Sequence, residues 1–216
     1  MLLKLFYILV ILKGEEGMEK QILQWHPAFQ AACQVELRED EEFLQFFDEH
    51  TLTKKPLQMD ILIIKVKSGH AVRKSIGKIF RKHNIVEYKS PDDYICINDF
   101  YKVMGYACIY QSDTKKVMDI RPEDMTVTLV CSHYPREMMN HIEKRFGVEP
   151  EEVYKGIYHV KGLLFPLQMV ITKRLPKEEY TWLSRLQRNL DVISDIEPLA
   201  IAYKDVAHDP STALRN

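Results

Sequence analysis

The sequence feature that most constrains the fold is an apolar run, LQMDILIIKV, at residues 57–66. Aliphatic and β-branched side chains dominate this run, which is typical of a buried β-strand. Asp60 interrupts it, and an ionised carboxylate inside a buried strand costs several kcal/mol unless a cation neutralises it. The run therefore predicts a central strand with a positively charged partner close to Asp60.

A second strand, NIVEYKS at residues 84–90, carries Glu87 and Lys89. Residues two apart in a strand point to the same face of the sheet, so these two side chains share a face. Two arrangements would satisfy Asp60: Lys89 neutralises it from the neighbouring strand, or a divalent metal ion lies between Asp60 and Glu87, whose oxygen atoms suit magnesium. In a purely structural alternative, Asp60, Glu87 and Lys89 form an ion network without chemistry.

Helical and strand patterns alternate along most of the chain. With 216 residues, 46% of them hydrophobic, the chain can bury one core, and the alternation predicts a single α/β domain. The predicted helices cover residues 27–49, 71–83, 98–110 (with Asn98 as N-cap), 136–146 and 177–188, and the further strands cover 126–132, 157–160 and 167–172.

Residues 61–86 contain no acidic side chain but recurring lysine and arginine. The predicted helix at 71–83 would display a basic face formed by Arg73, Lys74, Lys78, Arg81 and Lys82. This clustering is typical of nucleic-acid binding. The alternative is a solvent-facing helix whose cations pair with the acidic residues of 36–49.

Net charge and cysteine spacing bear on the binding partners and on the cellular compartment. The net charge of −1 gives no global attraction to polyanions, and the four cysteines lack CxxC spacing, which favours a reducing cytoplasm.

The apolar start, MLLKLFYILVILK, is too short to span a membrane. We expect translation to start at Met18, so that 1–17 is a non-native leader, 18–206 the domain and 207–216 a tail. A true amphipathic or signal segment is the competing interpretation.

The strand LQMDILII with Asp60, followed by Glu87-Tyr88-Lys89 in NIVEYKS and then a helix, resembles the PD-(D/E)XK nuclease superfamily. The resemblance is greatest to its recombination-promoting nuclease, transposase-like branch, although Met59 stands where the motif has proline. It implies a restriction-endonuclease-like mixed β-sheet flanked by helices. It also implies magnesium- or manganese-dependent hydrolysis of DNA, with DNA as partner, a homodimer allowed, and neither a membrane nor a nucleotide cofactor involved.

The resemblance also assigns roles to individual residues. Asp60, Glu87 and the backbone carbonyl of Tyr88 would bind the metal, and Lys89 would orient the attacking water or neutralise the transition state. Glu36 is the best match to the family's helical acid, and Lys102 would lie near the metal site and contact DNA.

Two alternatives to the nuclease function stay open, together with one further candidate residue. The chain could be a nuclease-like module that has lost catalysis and only binds DNA or a protein. A nicotinamide-dependent dehydrogenase is a different class, but the glycines form no GxGxxG phosphate-binding loop. His133, after the strand at 126–132, could serve as a general base, although a histidine at a strand end is more often a hydrogen-bonded surface residue.

Overall fold

Strands and helices alternate in the computed structural model of the chain, which describes residues 25–51, 58–65, 69–186 and 192–207. The predicted leader, 1–17, and the tail beyond Ala207 lie outside these residues. The helices are α1 (Trp25–Glu36), α2 (Ile97–Ser112), α3 (Arg136–Phe146), α4 (Thr181–Arg185) and α5 (Glu197–Ala207). The strands are β1 (Leu44–Thr51), β2 (Gln58–Lys65), β3 (His83–Tyr88), β4 (Met125–Cys131), β5 (Glu151–Tyr154), β6 (Ile157–Val160) and β7 (Leu167–Ile171).

The seven strands of the described residues form one open sheet in the order β1-β2-β3-β4-β7-β6-β5. The neighbours β3 and β4 are parallel, as are β4 and β7, and the other pairs are antiparallel. This is a mixed sheet flanked by helices in a single domain, as the sequence predicted, and that prediction of the α/β architecture is confirmed. The carboxyl ends of β3, β4 and β7 lie side by side at one end of the sheet, together with the amino end of β2. We call this end of the sheet, where these strands finish, its carboxyl edge.

Each face of the sheet is covered by its own hydrophobic core. On one face, Ile61, Val86 and Val130 pack with side chains of α1, α4 and α5. On the other face, Leu62 and Ile85 pack with side chains of α2 and α3. The strands are therefore buried on both sides, which explains why they read as almost continuous apolar runs. In the described part of the chain, no helix is both long and apolar enough to cross a membrane.

The predicted helix at 27–49 is wrong beyond Glu36. A 3-10 helix, Arg38–Phe43, follows α1, and β1 then pairs with β2. Phe43, Phe46 and Phe47 have helical spacing in the sequence, but in the structure Phe46 packs against one core and Phe47 against the other. Alternation across a strand explains this burial as well as a helix does, and only the pairing with β2 decides between them.

The predicted basic helix at 71–83 is also wrong, because only a short 3-10 turn, Ser75–Gly77, forms there before β3. Side chains elsewhere in the fold accept hydrogen bonds from backbone N–H groups of this segment, and one of these groups, the Ile76 N–H, would bond within the segment if it were a helix. The Arg73 N–H donates to Asp40 at 2.9 Å, and the Ile76 N–H donates to the Tyr180 hydroxyl at 3.0 Å. Tertiary contacts therefore override the local helical pattern.

The other predicted elements differ in how well they match. The structure confirms the strands near 57–66, 84–90, 126–132, 157–160 and 167–172 and the helices near 98–110 and 136–146, with small shifts at their ends. The N-cap of α2 is Cys96 rather than Asn98, because the Asp99 carboxylate accepts the Cys96 N–H at 2.9 Å. Within the described part of the helix predicted at 177–188, only α4 is helical, and residues 187–188 lie outside the described residues. Neither β5 nor α5 was predicted from the sequence.

Two glycines provide a matched test of the segment before β3. A Cβ on Gly77 would overlap the Val72 side chain, whereas a Cβ on Gly105, within α2, would meet no atom within 4 Å. Gly77→Ala is expected to lower the free energy of unfolding by about 1–3 kcal/mol, through overpacking. Gly105→Ala should raise it by about 0.5–1 kcal/mol, through helix propensity. Urea unfolding of both variants measures this, and equal effects would contradict the described packing of residues 72–77.

Candidate metal centre

Asp60 and Glu87 lie where the ladder between β2 and β3 gives way to side-chain hydrogen bonds. The last of the paired residues towards this end are Ile61 and Val86, which places Asp60 opposite Glu87. The Tyr88 N–H donates to Asp60 Oδ2 at 2.8 Å, and the Asp60 N–H approaches Glu87 Oε2 at 3.4 Å. Each carboxylate therefore reaches across to the backbone of the other strand, and the two are held side by side.

The side chain that contacts Asp60 is a histidine of α1. His26 Nδ1 lies 2.7 Å from Asp60 Oδ1, and the Asp60 side chain is 11% exposed while that of His26 is 53% exposed. The ring stack of Phe29 on Tyr88, with centroids 4.5 Å apart, fixes this end of α1 against β3. The sequence pattern did not identify His26, since it lies 34 residues before Asp60 and outside any motif.

Glu87 is the most perturbed carboxyl group of the site. Burial, followed by the negative charge of Asp60, raises the pKa of Glu87 from 4.5 to about 7. Lys102 works in the opposite direction, with its Nζ 3.4 Å from Glu87 Oε1. A buried carboxyl group held beside a second carboxylate gains from a divalent cation, because such an ion would offset both the burial and the repulsion.

Lys89 shares a face with Glu87, as the strand alternation predicted, but it does not neutralise Asp60. Its Nζ lies 3.0 Å from Asp99 Oδ1 on α2 and 3.6 Å from Asp93 Oδ2 in the preceding loop. Burial acts to lower the pKa of Lys89, and the hydrogen bond and charge of Asp99 outweigh it, so that the pKa is raised. The contacts with Asp99 and Asp93 therefore favour the charged ammonium and anchor it to α2 and to the loop before α2.

Lys102 of α2 lies near the carboxylates, as predicted. Besides its contact with Glu87, its Nζ lies 5.2 Å above the centre of the Tyr106 ring. Burial would lower the pKa of Lys102, but the contacts with Tyr106 and Glu87 together raise it. The side chain is 46% exposed, so the same ammonium faces both the buried carboxyl group and the solvent.

Glu36 contacts a different part of the structure. Its Oε2 lies 2.7 Å from Lys74 Nζ, and its Oε1 accepts the Trp182 N–H at 2.7 Å. Both oxygens thus connect α1 to the segment before β3 and to α4. The structure gives Glu36 a bridging role in the fold and shows no contact with Asp60 or Glu87.

Glu36→Gln is expected to lower the free energy of unfolding by about 1–3 kcal/mol, because the half-buried Lys74 ammonium loses its charged partner. Metal affinity should not change. Urea unfolding and a magnesium titration of the same variant separate the two roles. Loss of magnesium binding at unchanged stability would show instead that Glu36 is a metal ligand.

The predicted DNA-contacting residues before β3 have diverse surroundings. Arg73 pairs with Glu39 at 3.1 Å, and Lys74 pairs with Glu36. Arg81 donates to the Glu123 carbonyl at 2.6 Å. Lys78 and Lys82 are exposed. The alternative in which these cations pair with the acidic stretch therefore describes Arg73 and Lys74, and DNA contact by the other residues stays a prediction.

The donor set is compatible with magnesium, although it is small. In residues 25–51, 58–65, 69–186 and 192–207, no three His, Cys, Asp or Glu side chains are grouped so as to hold a metal ion. Magnesium keeps several water ligands and needs only one or two carboxylates. Asp60 and Glu87 supply those two, and the backbone carbonyl of Tyr88 stays a predicted third ligand.

Comparison with known proteins identifies no relative. No protein-family model, no curated protein and no solved structure matches the chain significantly.

Proposed function

We propose that the chain is a divalent-metal-dependent nuclease that hydrolyses phosphodiester bonds of DNA. The observation that carries the proposal is the convergence of Asp60 and Glu87 from neighbouring strands at one sheet edge, with the lysines Lys89 and Lys102 on the face of Glu87. Carboxylates that hold a hard cation, beside ammonium groups that meet a phosphate, are the parts that phosphoryl chemistry requires.

Asp60 and Glu87 would hold magnesium or manganese, with the Tyr88 carbonyl as a further ligand. When bound, the ion lowers the pKa of a coordinated water and stabilises charge that develops on the phosphate. The Tyr88 N–H and His26 fix the orientation of the Asp60 carboxylate, so little entropy is lost on binding. Glu87 would be ionised when it holds the ion, because a carboxyl group must be deprotonated to serve as a ligand.

Lys89 is the residue that would meet the reacting phosphate. An ammonium group has three N–H donors, and the hydrogen bond to Asp99 uses only one of them. With its side chain 22% exposed, Lys89 can still donate to a phosphate oxygen or to the attacking water. DNA as partner, a homodimer and a cytoplasmic location accompany this proposal and stay predictions.

The experiment is a cleavage assay on supercoiled plasmid and on single-stranded DNA, with magnesium or manganese. The wild type should cut, and Asp60→Asn should reduce the rate by a factor on the order of 100 or more, since it removes a ligand oxygen. Asp124→Asn is the matched control: Asp124 immediately precedes β4 and lies at the opposite edge of the sheet. It should cut like the wild type.

A wild type that leaves both DNA substrates intact with either metal overturns the proposal. If that protein still bound DNA, the module without catalysis would be the better description.

A further inference from the structure

Side chains of the loops that follow β3, β4 and β7 form a row along the carboxyl edge of the parallel strands. We call Lys89, Tyr94, His133 and Lys173 the edge row. Lys89 follows β3 directly, and its N–H donates to Val130 of β4 at 2.9 Å. His133 and Lys173 each lie two residues beyond Cys131 and Ile171, which pair across β4 and β7. Neighbouring strands are about 5 Å apart, so the row spans roughly 10 Å from β3 to β7.

Contacts between these side chains and their loops make the row continuous. Lys89 lies 3.6 Å from Asp93, the residue before Tyr94. The Tyr94 ring is tilted by 34° to the His133 ring, with centroids 5.8 Å apart. His133 Nε2 lies 3.0 Å from Lys173 Nζ. Because an ammonium can only donate, Nε2 accepts there.

The composition of the edge row indicates the kind of ligand. Tyr94 is 66% exposed, an unusual position for a large aromatic ring, and its neighbours Asp93 and His133 contact the cations Lys89 and Lys173. Aromatic rings that stack on bases, interleaved with cations that meet phosphates, are what proteins use to bind single strands. Bases within a duplex are already stacked and cannot offer a face to Tyr94.

We propose that the edge row binds a single-stranded segment of DNA next to the scissile phosphate. Tyr94 stacks on an unpaired base, and Lys173, held by His133, contacts a flanking phosphate. This inference rests on the proposed nuclease function and names its substrate class: DNA that is single-stranded, or locally unpaired, beside the cut.

One acidic residue beside the edge row would repel an anionic ligand. Asp93, 65% exposed, brings a negative charge beside Lys89 and Tyr94. A polyanion is repelled by this carboxylate, so Asp93→Asn should tighten single-strand binding. If the edge row bound no anion, Asp93→Asn would not be expected to increase the affinity.

The test measures binding of a fluorescent single-stranded oligonucleotide and of the matching duplex to the full chain, by anisotropy, in EDTA so that no cleavage occurs. The wild type should bind the single strand more tightly than the duplex, and Tyr94→Ala should weaken single-strand binding about tenfold with little change for the duplex. Tyr94→Phe keeps the ring and should bind like the wild type. Tyr101→Ala, an exposed tyrosine of α2 that contacts His141, is the aromatic control.

Lys173→Gln should weaken binding and flatten its dependence on salt, since it removes a phosphate contact. Its control is Lys161→Gln, because Lys161 follows β6 at the opposite edge of the sheet and should not affect binding. Tighter binding to the duplex than to the single strand, or wild-type affinity in Tyr94→Ala, would overturn the inference. Binding that depends on Tyr94 in a protein that cuts no DNA would refute only the nuclease function.

Discussion

Replacing Glu87 with glutamine is expected to stabilise the metal-free protein at pH 8 by about 3 kcal/mol and to abolish its stabilisation by magnesium. Burial and the neighbouring Asp60 raise the pKa of Glu87 from 4.5 to about 7. The folded protein therefore binds this proton more tightly than the unfolded chain does. The stabilisation of the folded state by this proton is fully present below pH 4.5 and is lost as the pH rises through 7. Glutamine stays neutral throughout and avoids the loss.

Urea unfolding between pH 4.5 and 8, in EDTA, measures the effect as the difference between the wild type and Glu87→Gln. The difference should grow over this interval and then level off. Glu143→Gln, on the exposed face of α3, is the control and should give a flat difference. A Glu87→Gln variant that is less stable than the wild type at pH 8 would show that Glu87 is a stabilising ion-pair partner of Lys102 rather than a strained ligand.

Lys89→Met is expected to reduce DNA cleavage by a factor on the order of 100 to 1,000 while leaving metal binding intact. The ammonium would contact water or phosphate rather than the ion, and removing a positive charge near the site should, if anything, tighten metal binding. Single-turnover cleavage and the magnesium-induced rise in melting temperature measure the two effects separately. Lys116→Met, in the exposed loop after α2, is the control.

Unchanged cleavage by Lys89→Met would remove Lys89 from the chemistry. Equal loss of cleavage and of metal binding would mean instead that its ion pairs with Asp99 and Asp93 serve to position the carboxylates.

The sequence predicted the central strands because they are buried on both faces and bounded by turn residues. It also predicted the relation between Glu87 and Lys89, since strand alternation is a local property. The side chain beside Asp60 was not predicted, because the sequence indicated Lys89 or a metal ion and the structure places His26 there. His26 reaches Asp60 only through the packing of α1 against β3, and no local spacing encodes that contact.

The errors have a common physical cause, which is that tertiary contacts compete with local propensity. The stretch at 71–83 has a helical apolar pattern, but Tyr180 accepts the Ile76 N–H, which a helix would use internally, and Asp40 accepts the Arg73 N–H. The role of Glu36 as the family's helical acid stays a prediction, and the contacts that the structure gives it, with Lys74 and the Trp182 N–H, join residues distant in sequence.

The most direct test of the account is a calorimetric titration of the metal-free chain with manganese. The central claim is that Asp60 and Glu87 together hold one divalent ion, and manganese has the same preference for carboxylate oxygens as magnesium. We expect the wild type to bind one ion per chain, Asp60→Asn and Glu87→Gln to bind none, and Asp124→Asn to bind as the wild type does. A wild type that binds no manganese, or Asp60→Asn and Glu87→Gln variants that bind it as the wild type does, would show that the two carboxylates do not hold a metal ion.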